Sequence, residues 1–306
     1  MVEVTLLGTG GSMPLPTRYL SATLLHYKGR KILIDCGEGT QVSMREINSG
    51  FKSLDVICLT HLHGDHINGL PGLLATVGNS NRTDPLIIIG PIGTHSVLEA
   101  IKVLIPYLPF DLQIIEKGFQ ADSKPFQYLN GEIEICTLDL NHSSPCLGYR
   151  FEVKRRPKFD LVKAMENKVP KYLWNKLQKV GIEIEGYKPE QVMGENRRGI
   201  FISLVTDTRP IDEIIDFVEA SDLFICEGTY GDDEDKQRAI DYKHMTFSEA
   251  ATLAKKAKVK KLMLTHFGVA LTEPGHFLEN ATKIFKCTEV GKDHFSLILT
   301  FDESSD

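Results

Sequence analysis

The sequence predicts a layered α/β fold. Short apolar strands alternate with segments of helical periodicity along the 306 residues, and no internal repeat interrupts this order. With 42% hydrophobic and 25% charged residues, the composition is that of a globular protein and excludes collagen-like, coiled-coil and disordered chains. A chain of this length forms one large domain or two small ones. Because the one segment that departs from the alternation has the character of an insertion, we expect a single domain over 1–306.

Strands are predicted where short apolar runs lie between turn residues. In chain order these runs are 2–7, 21–27, 31–35, 56–60, 86–89, 133–137, 147–151, 200–206, 223–226, 261–265 and 295–301. Lys28 and Gly29 separate the second run from the third and predict a hairpin turn.

Helices are predicted where apolar residues recur with a period near 3.6 residues. These segments are 69–76, 93–105, 211–220, 246–257 and 275–285. Each segment lies between two predicted strands, which is typical of helices that cover the faces of a sheet.

Charge is distributed unevenly along the chain. The sequence holds 35 Lys and Arg against 41 Asp and Glu, and a net charge of −6 taken alone disfavours a nucleic-acid partner. Residues 154–179, however, hold nine basic and two acidic residues, a net of +7, so that the rest of the chain carries −13. The only tryptophan, Trp174, lies in this segment with Phe159 and Tyr172. We therefore predict an inserted basic arm over 154–190.

An ordinary amphipathic helix is the alternative interpretation of this basic segment. Under that interpretation the apolar residues pack against the body and the lysines are only solvated. The apolar residues concerned are Leu161, Val162, Met165, Leu173 and Leu177.

The sequence predicts a cytoplasmic protein with no membrane partner. No apolar run reaches the ~18 residues that a membrane span requires. The N-terminus lacks the basic region of a signal peptide and has the pattern of a strand. The six cysteines lie far apart without a CxxC motif, which is typical of reduced thiols.

The loop after the strand at 56–60 predicts a metal site. It reads His61-Leu62-His63-Gly64-Asp65-His66 and places three imidazoles and a carboxylate within six residues. In an extended stretch His61 and His63 point the same way and can bind one ion, while Asp65 and His66, beyond the flexible Gly64, can turn towards a second. Four ligand-type residues at this spacing are difficult to explain as satisfied core residues.

Three distant residues are candidates to complete this site. His142, Asp207 and His266 each follow a predicted strand, and strand ends are where α/β folds assemble their sites. Alone, each residue has a structural explanation, such as a turn former or a neighbour of a helix cap. Together they supply the ligands that two metal ions require.

These residues and their flanking sequences resemble the ribonuclease Z family of the metallo-β-lactamase superfamily, endonucleases that trim tRNA 3′ ends. The HxHxDH motif at 61–66 with distant His, Asp and His residues is common to the superfamily. Narrower similarity lies in LLGTGG at 6–11, DCGEGTQ at 35–41, THLHGDHINGLPGLL at 60–74, TDTRP at 206–210 and HMT at 244–246. The similarity spans nearly the whole chain. It implies a metallo-β-lactamase fold, an αβ/βα four-layer sandwich of two mixed sheets with outer helices, plus a protruding basic arm.

The resemblance assigns the metal ligands to two zinc ions per subunit. His61, His63 and His142 would bind one ion, Asp65, His66 and His266 the other, and Asp207 would bridge them. Mn²⁺ or Fe²⁺ could occupy the same ligands. The resemblance also implies attack of a metal-bridging hydroxide on the phosphodiester, which removes the 3′ trailer from precursor tRNA and leaves a 3′-hydroxyl.

Catalytic roles for Asp65, His244 and Glu227 follow from the same resemblance. Asp65 would orient or deprotonate the nucleophile. His244 would protonate the leaving 3′-oxygen, with Glu227 holding its imidazole. The structural alternative for His244 is a solvated helix start, since Thr246 has the pattern of an N-cap.

The resemblance further implies that the arm binds precursor tRNA and that the chain forms a homodimer; no DNA partner is expected. Lysines and aromatic residues in the arm suit a grip on phosphates that does not depend on sequence. The predicted RNA-binding residues are Arg18, Arg155, Arg156, Lys158, Lys163, Lys168, Lys171, Lys176 and Lys179.

The chain departs from the family pattern at several positions. Cys226 and Gly228 flank Glu227 where the family has His and Ala, and Met245 replaces Ser in the HMT motif. After His266, residues 268–271 read GVAL where the family often has Ser-x-Arg-Tyr. The loop at 14–19, PLPTRY, differs from the family pattern, so the cleavage position stays open. The Gly-Pro turn of the family arm is missing.

Two other functions fit parts of the sequence. A phosphodiesterase of the same fold, acting on small or cyclic nucleotide phosphodiesters, would use the same ligands without needing a basic arm. A metal-free RNA-binding protein with a decayed site is disfavoured because all seven ligand-type residues are present. A β-lactamase or thiolester hydrolase is disfavoured because an all-His/Asp site suits phosphodiesters.

Overall fold

Two seven-stranded β-sheets form the centre of the molecule. The structure is a computed structural model that describes residues 1–118 and 124–302. The strands are β1 (Val2–Gly8), β2 (Ala22–Tyr27), β3 (Arg30–Ile34), β4 (Leu54–Cys58), β5 (Leu86–Pro91), β6 (Leu112–Lys117), β7 (Phe126–Tyr128), β8 (Ile133–Asp139), β9 (Leu147–Arg155), β10 (Arg197–Val205), β11 (Leu223–Glu227), β12 (Leu262–Thr265), β13 (Thr288–Val290) and β14 (Ser296–Leu299). The first sheet has the order β14-β1-β2-β3-β4-β5-β6 and the second the order β13-β12-β11-β10-β9-β8-β7.

Helices cover the outer faces of both sheets, and two further helices lie in the segment between β9 and β10 that the sequence predicts to be an arm. They are α1 (Thr40–Glu46), α2 (Gly64–Ile67), α3 (Leu70–Gly78), α4 (Thr94–Leu104), α5 (Leu161–Glu166), α6 (Lys171–Val180), α7 (Glu213–Phe217), α8 (Lys236–Tyr242), α9 (Phe247–Lys256) and α10 (Leu278–Thr282). Short 3₁₀ turns lie at Pro189–Gln191, Asp233–Asp235 and Pro274–Phe277.

Three buried layers hold the sheets and helices together. The central layer packs Val4, Ile34 and Val56 of the first sheet against Phe151 and Ile202 of the second. One outer layer packs the first sheet on α1, α3 and α4, and the other packs the second sheet on α7, α9 and α10. Alternation of apolar residues on strands and helices produces these layers, because each face must be covered. The predicted αβ/βα four-layer sandwich of two mixed sheets is confirmed.

All eleven predicted strands and the hairpin turn are confirmed, the turn with Lys28 and Gly29 both at positive φ. Strands β6, β7 and β13 and helices α1, α2 and α8 were not predicted; the sequence predicts a loop at 61–66. The helix predicted over 275–285 is shorter, because Pro274 begins a 3₁₀ turn and α10 covers only Leu278–Thr282. The helix predicted over 211–220 is reduced to α7.

The carboxyl ends of several strands meet at one edge of the sandwich. Strands β3 to β6 are parallel in the first sheet, and β10 to β13 are parallel in the second. Strand β8 runs antiparallel to β9, which runs antiparallel to β10, so β8 ends at the same edge as β10. The loops after β4, β8, β10 and β12 therefore converge.

The opposite end of the sandwich is fixed by a buried carboxylate. Asp55, on β4, accepts hydrogen bonds from Arg30, from the buried Arg82 at 3.0 Å and from Tyr128 on β7. Because β4 and β7 belong to different sheets, this group joins the sheets at the end away from the converging loops. Several donors offset the cost of burying a carboxylate.

The segment between β9 and β10, which the sequence predicts to be an arm, folds around a small apolar core of its own. Val169, Leu173 and Leu177 are buried there against Val192 and Met193. The arm closes where Gly194 N donates to the Lys158 carbonyl at 2.8 Å. The amphipathic packing considered from the sequence is right for Leu173 and Leu177 but wrong for Leu161, Val162 and Met165, which are 52%, 65% and 64% exposed.

None of the helices in the described ranges is long and apolar enough to cross a lipid bilayer. The longest of them, α4, has 11 residues, whereas a span requires about 20.

Candidate metal centre

The seven predicted ligand residues lie together at the converging loops. The loop after β4 carries His61 and His63, and α2 follows directly with Asp65 and His66. His142, Asp207 and His266 follow β8, β10 and β12. Strand direction thus brings side chains from distant parts of the sequence to one place, as the strand-end pattern predicts.

Ligand atoms of these residues form two clusters. One contains His61, His63 and His142, and the other contains Asp65, His66, Asp207 and His266; within each, the atoms lie within 4.8 Å of one another. The Nε2 of His142 is 3.3 Å from the Nδ1 of His63, and the Nε2 atoms of His66 and His266 are 3.2 Å apart. Both spacings suit nitrogens that share one cation.

Asp207 lies between the clusters and presents one oxygen to each. Its Oδ2 is 3.6 Å from the Nε2 of His61 and 3.9 Å from that of His142. Its Oδ1 is 3.5 Å from the Nε2 of His66 and 3.1 Å from that of His266. A bridging carboxylate requires this arrangement.

Hydrogen bonds behind the imidazoles determine which nitrogens carry protons. The Nδ1 of His66 donates to the Asp35 carboxylate at 2.8 Å, and the Nδ1 of His142 donates to the Lys243 carbonyl at 3.3 Å. Thr60 donates its hydroxyl proton to Asp35 at 2.9 Å and can therefore accept from the Nδ1 of His61 at 3.1 Å.

Hydrogen bonds also determine which nitrogen of His266 carries the proton. Thr229 donates to Glu227 at 2.6 Å and accepts from the Nδ1 of His266 at 3.1 Å. In their neutral forms, all four of these imidazoles therefore present an unprotonated Nε2 to the centre. The Nε2 of His61 is buried without any hydrogen-bond partner. Four inward lone pairs beside two carboxylates fit a group of metal cations.

Electrostatics at the centre favour positive charge. Burial opposes the imidazolium of His66, but the Asp207 and Asp35 carboxylates raise its pKa well above the ordinary value. Burial also opposes ionisation of Asp207, yet His266 and His66 lower the pKa of its carboxyl. For His61, burial dominates and lowers the pKa, so that its imidazole stays neutral, as a ligand must be.

Three residues of the centre adopt the left-handed backbone conformation. Asp35, Asp207 and His266 have φ values of 58°, 51° and 56°. Each lies one or two residues beyond the end of a strand, so the chain reverses while the side chain turns into the site. This conformation costs most non-glycine residues roughly 1–2 kcal/mol, and Asp, Asn and His tolerate it best.

His244 and Glu227 lie at the edge of the centre. The Nδ1 of His244 donates to Glu227 at 3.2 Å, and the buried Glu227 also accepts from Thr208 N at 2.6 Å and Met245 N at 3.1 Å. Burial opposes the charged imidazole, but the Glu227 carboxylate raises the pKa of His244 to about 9. Thr246 does cap α9, so the helix-start feature and the contact with Glu227 exist together.

Sequence reasoning missed the residues that orient the ligands. Asp35 belongs to the DCGEGTQ motif and ends a predicted strand, so its position in the sequence could have identified it. Thr60 directly precedes His61, and Thr229 lies two residues after Glu227, but neither position forms a distinctive sequence pattern. Lys243 acts through its carbonyl, while its Nζ donates to the His142 carbonyl at 3.0 Å, and no side-chain pattern predicts such a backbone role.

Gly11 shows why the loop at 8–11 is rich in glycine. A Cβ at Gly11 would lie 2.5 Å from the His266 ring, so only glycine permits this approach. Gly11 therefore allows the loop to pack closely beneath the centre.

The predicted RNA-binding residues form two groups, Arg18 beside the chain that follows His266 and the others in the segment between β9 and β10. Arg18 donates to the Leu271 and Thr272 carbonyls at 3.0 and 2.9 Å. Arg156 donates to Glu132 at 2.7 Å, and Arg155 donates to the Asp302 carbonyl at 2.7 Å. Lys163 donates to the Met193 carbonyl at 3.0 Å, and the exposed lysines of the arm are Lys158, Lys168, Lys171, Lys176 and Lys179.

Comparison with known proteins places the whole chain in one family of sequences. It is 55% identical to ribonuclease Z of Clostridium beijerinckii, over 99% of this chain and 100% of that protein. It is 54% identical to ribonuclease Z of Clostridioides difficile, over 99% and 100%. A family model described as anti-Pycsar protein Apyc1 matches residues 2–97, which is about the first third of the chain.

Solved structures agree with this comparison. The short form of human tRNase Z is 26% identical and superposes with a TM-score of 0.71, covering 98% of this chain and 100% of that chain. The metallo-β-lactamase fold protein YhfI from Bacillus subtilis, at 21% identity and a TM-score of 0.71, covers 97% and 98% and shows the same fold. Identity above half over nearly the full length, together with the fold and the clustered ligands, establishes that the chain belongs to the ribonuclease Z family.

Proposed function

We propose that the seven clustered residues hold two zinc ions and that this centre performs the endonucleolytic tRNA 3′ processing of the ribonuclease Z family. As a member of that family the chain is a metal-dependent endoribonuclease whose substrate is precursor tRNA. The observation that carries the metal assignment is the set of inward, unprotonated nitrogens with Asp207 between them. Zinc suits a site of imidazoles and carboxylates, and Mn²⁺ or Fe²⁺ would fit the same donors.

When bound, the ions supply a hydroxide at neutral pH and neutralise charge on the phosphate. The side chains supply orientation and a proton. Asp65 accepts from Ser12 N at 2.7 Å through its Oδ2, which fixes the carboxylate within the second cluster, where it can orient the nucleophile. His66 and His266 lower the pKa of Asp65, against the effect of burial, so it stays ionised.

His244 is the proposed proton donor to the leaving 3′-oxygen, and Glu227 is its positioning residue. The Glu227 carboxylate holds the His244 ring through its Nδ1, so the Nε2 of His244 can donate a proton to the substrate. A pKa of about 9 keeps the imidazole protonated at neutral pH, as a general acid requires.

The arm is proposed to grip the RNA at a distance from the centre. Its lysines extend from a folded core, so the charges are held on one rigid element. Phosphate contacts of this kind contribute affinity without sequence preference. Arg155, Arg156, Arg18 and Lys163 are bonded to protein groups, so we assign them shared roles in seating the arm or loop and in attracting RNA.

A homodimer is the proposed assembly. Val103, Leu104 and Tyr107, at the end of α4, are 82%, 72% and 78% exposed. Three large apolar side chains within five residues form a patch that water solvates poorly and that a second copy can cover.

The alternative, a phosphodiesterase for small or cyclic nucleotides, is not favoured. The ribonuclease Z relatives match the chain from end to end, the arm included, whereas such a substrate would make no use of the arm.

Replacing one ligand should remove metal. His61→Ala deletes a ligand of the first cluster, and we expect the zinc content of purified protein to fall from two ions per chain towards one. Elemental mass spectrometry measures the content, and cleavage of precursor tRNA should fall by roughly 100-fold or more. His26→Ala, a partly exposed histidine paired with Glu3, is the control and should keep both ions. Unchanged metal content in His61→Ala would contradict the ligand assignment.

Removing the Glu227 charge should change the pH profile. The carboxylate raises the pKa of His244, so Glu227→Gln lowers it, and the protonated acid is then lost at lower pH. We expect the alkaline limb of the kcat/KM profile to move down by about one pH unit or more. Asp241→Asn, an exposed carboxylate on α8, is the control. A lower maximum of kcat/KM with the alkaline limb at an unchanged pH would show that Glu227 does not act through His244.

Neutralising the arm should weaken RNA binding alone. In Lys168→Ala/Lys171→Ala/Lys176→Ala we expect KM for precursor tRNA to rise. The slope of log affinity against log salt should become shallower, by up to about 0.9 for each phosphate that the arm no longer neutralises. Hydrolysis of a small chromogenic phosphodiester should be unchanged. The control replaces Lys255, Lys256 and Lys258, a second lysine cluster at the end of α9. Equal losses on both substrates would mean that the arm is structural.

Placing a charge in the apolar patch should separate the subunits. Val103→Asp is expected to convert a dimer to a monomer, because burying an unpaired carboxylate is costly. Light scattering measures the mass, with Ile298→Asp, an exposed position on β14, as the control. A wild-type protein of monomer mass would rule out this interface.

A further inference from the structure

A cavity of about 580 Å³ opens directly beside the proposed proton donor. His244 and Thr229 line the side of the cavity towards the metal centre. The chain that follows His266 lines the cavity as well, at 268–271. The cavity is therefore continuous with the reaction centre and is large enough for a nucleoside.

The backbone around Lys243 explains how the cavity and the centre share one wall. Helix α8 ends at Tyr242, and Lys243 takes a left-handed conformation with φ 58°. His244 N then donates back to the Ala239 carbonyl at 2.8 Å. This turn directs His244 to the metal centre and leaves Tyr242, 64% exposed, on the cavity.

Small residues keep the cavity open. Residues 268–270 are Gly, Val and Ala, and a Cβ at Gly268 would lie 3.0 Å from the Thr229 carbonyl oxygen. On the far side, Gly231 permits contact with Phe277, since a Cβ there would be 2.5 Å from the ring. The walls are consequently close-packed, and the fold itself forms the cavity between them.

The chemistry of the walls favours a flat, uncharged ring. Tyr242, Phe277 and Leu271 offer apolar surface, and Met13, 61% exposed, faces the same space. Arg238 lies in the rim but pairs with Asp235 at 3.1 Å, and Asp232 adds a second carboxylate. These three charges sum to −1, so the rim away from the protonated His244 disfavours a phosphate and suits a nucleobase with hydrogen-bonding edges.

We propose that this cavity binds the nucleobase of the nucleotide whose 3′-oxygen leaves, the last nucleotide of the tRNA product. The inference rests on the proposed function, because His244 defines the position of that oxygen. The nucleotide on this side of the scissile bond has its 3′-oxygen at His244, and its base then reaches the adjoining cavity. Tyr242 stacks on the base, and residues 268–270 leave it room.

A double-mutant cycle between protein and substrate tests this contact. One substrate is a precursor tRNA, and the second is the same RNA with an abasic residue at the last tRNA position. In wild-type enzyme, removal of the base should lower kcat/KM about tenfold, the usual effect of one stacking contact. Tyr242→Ala should lower kcat/KM similarly on the intact RNA and should make the enzyme indifferent to the abasic change. Tyr242→Phe should behave as wild type.

Controls separate this contact from other effects. Tyr172→Ala removes an exposed tyrosine of the arm and should leave the ratio between the two substrates unchanged. An abasic residue at the first trailer position should show no coupling to Tyr242→Ala. Additive losses, or coupling to the trailer position instead, would overturn the cavity assignment while leaving the proposed function intact. Absence of any precursor tRNA cleavage by wild-type enzyme would instead overturn the proposed function.

Discussion

The convergence of unprotonated nitrogens on one point is the constraint on which the rest of the structure depends. Asp35, Thr229 and the Lys243 carbonyl each take the outer proton of an imidazole, so that its other nitrogen faces inward as a lone pair. Two carboxylates, those of Asp65 and Asp207, face these nitrogens, so the centre carries negative charge that cations stabilise. The fold tolerates this group because the surrounding hydrogen bonds and sheets hold it in place, and the same arrangement prepares it for metal.

Stability and chemistry occupy opposite ends of the sandwich. Asp55 with Arg30, Arg82 and Tyr128 joins the sheets at one end, while the strands deliver ligands at the other. Tyr149 links the sheets between these ends, since its hydroxyl on β9 donates to the Leu59 carbonyl after β4 at 2.7 Å. The relative position of the two sheets, and hence the approach of His142 and Asp207 to His61, is fixed by groups that take no part in the reaction.

The layered fold, the strands and the grouping of the candidate ligand residues could be predicted from the sequence because each has a local signal. Apolar runs identify strands, and the spacing of His61 to His66 has few structural explanations. What it could not predict depends on contacts distant along the chain. The packing of the arm was wrong for Leu161, Val162 and Met165, because periodicity does not reveal which face of a short helix finds a partner. The backbone role of Lys243 and the cavity beside Tyr242 likewise exist only in the folded chain.

The left-handed backbone at Asp35, Asp207 and His266 limits which residues these positions accept. Glycine adopts this conformation without a steric penalty, and Asp, Asn and His adopt it more readily than other residues that carry a Cβ. Aspartate and histidine are also residues that bind metals and make strong hydrogen bonds, so the backbone and the chemistry of the site favour the same residue types. A β-branched or bulky residue at any of the three positions would therefore disturb the local fold and the centre together.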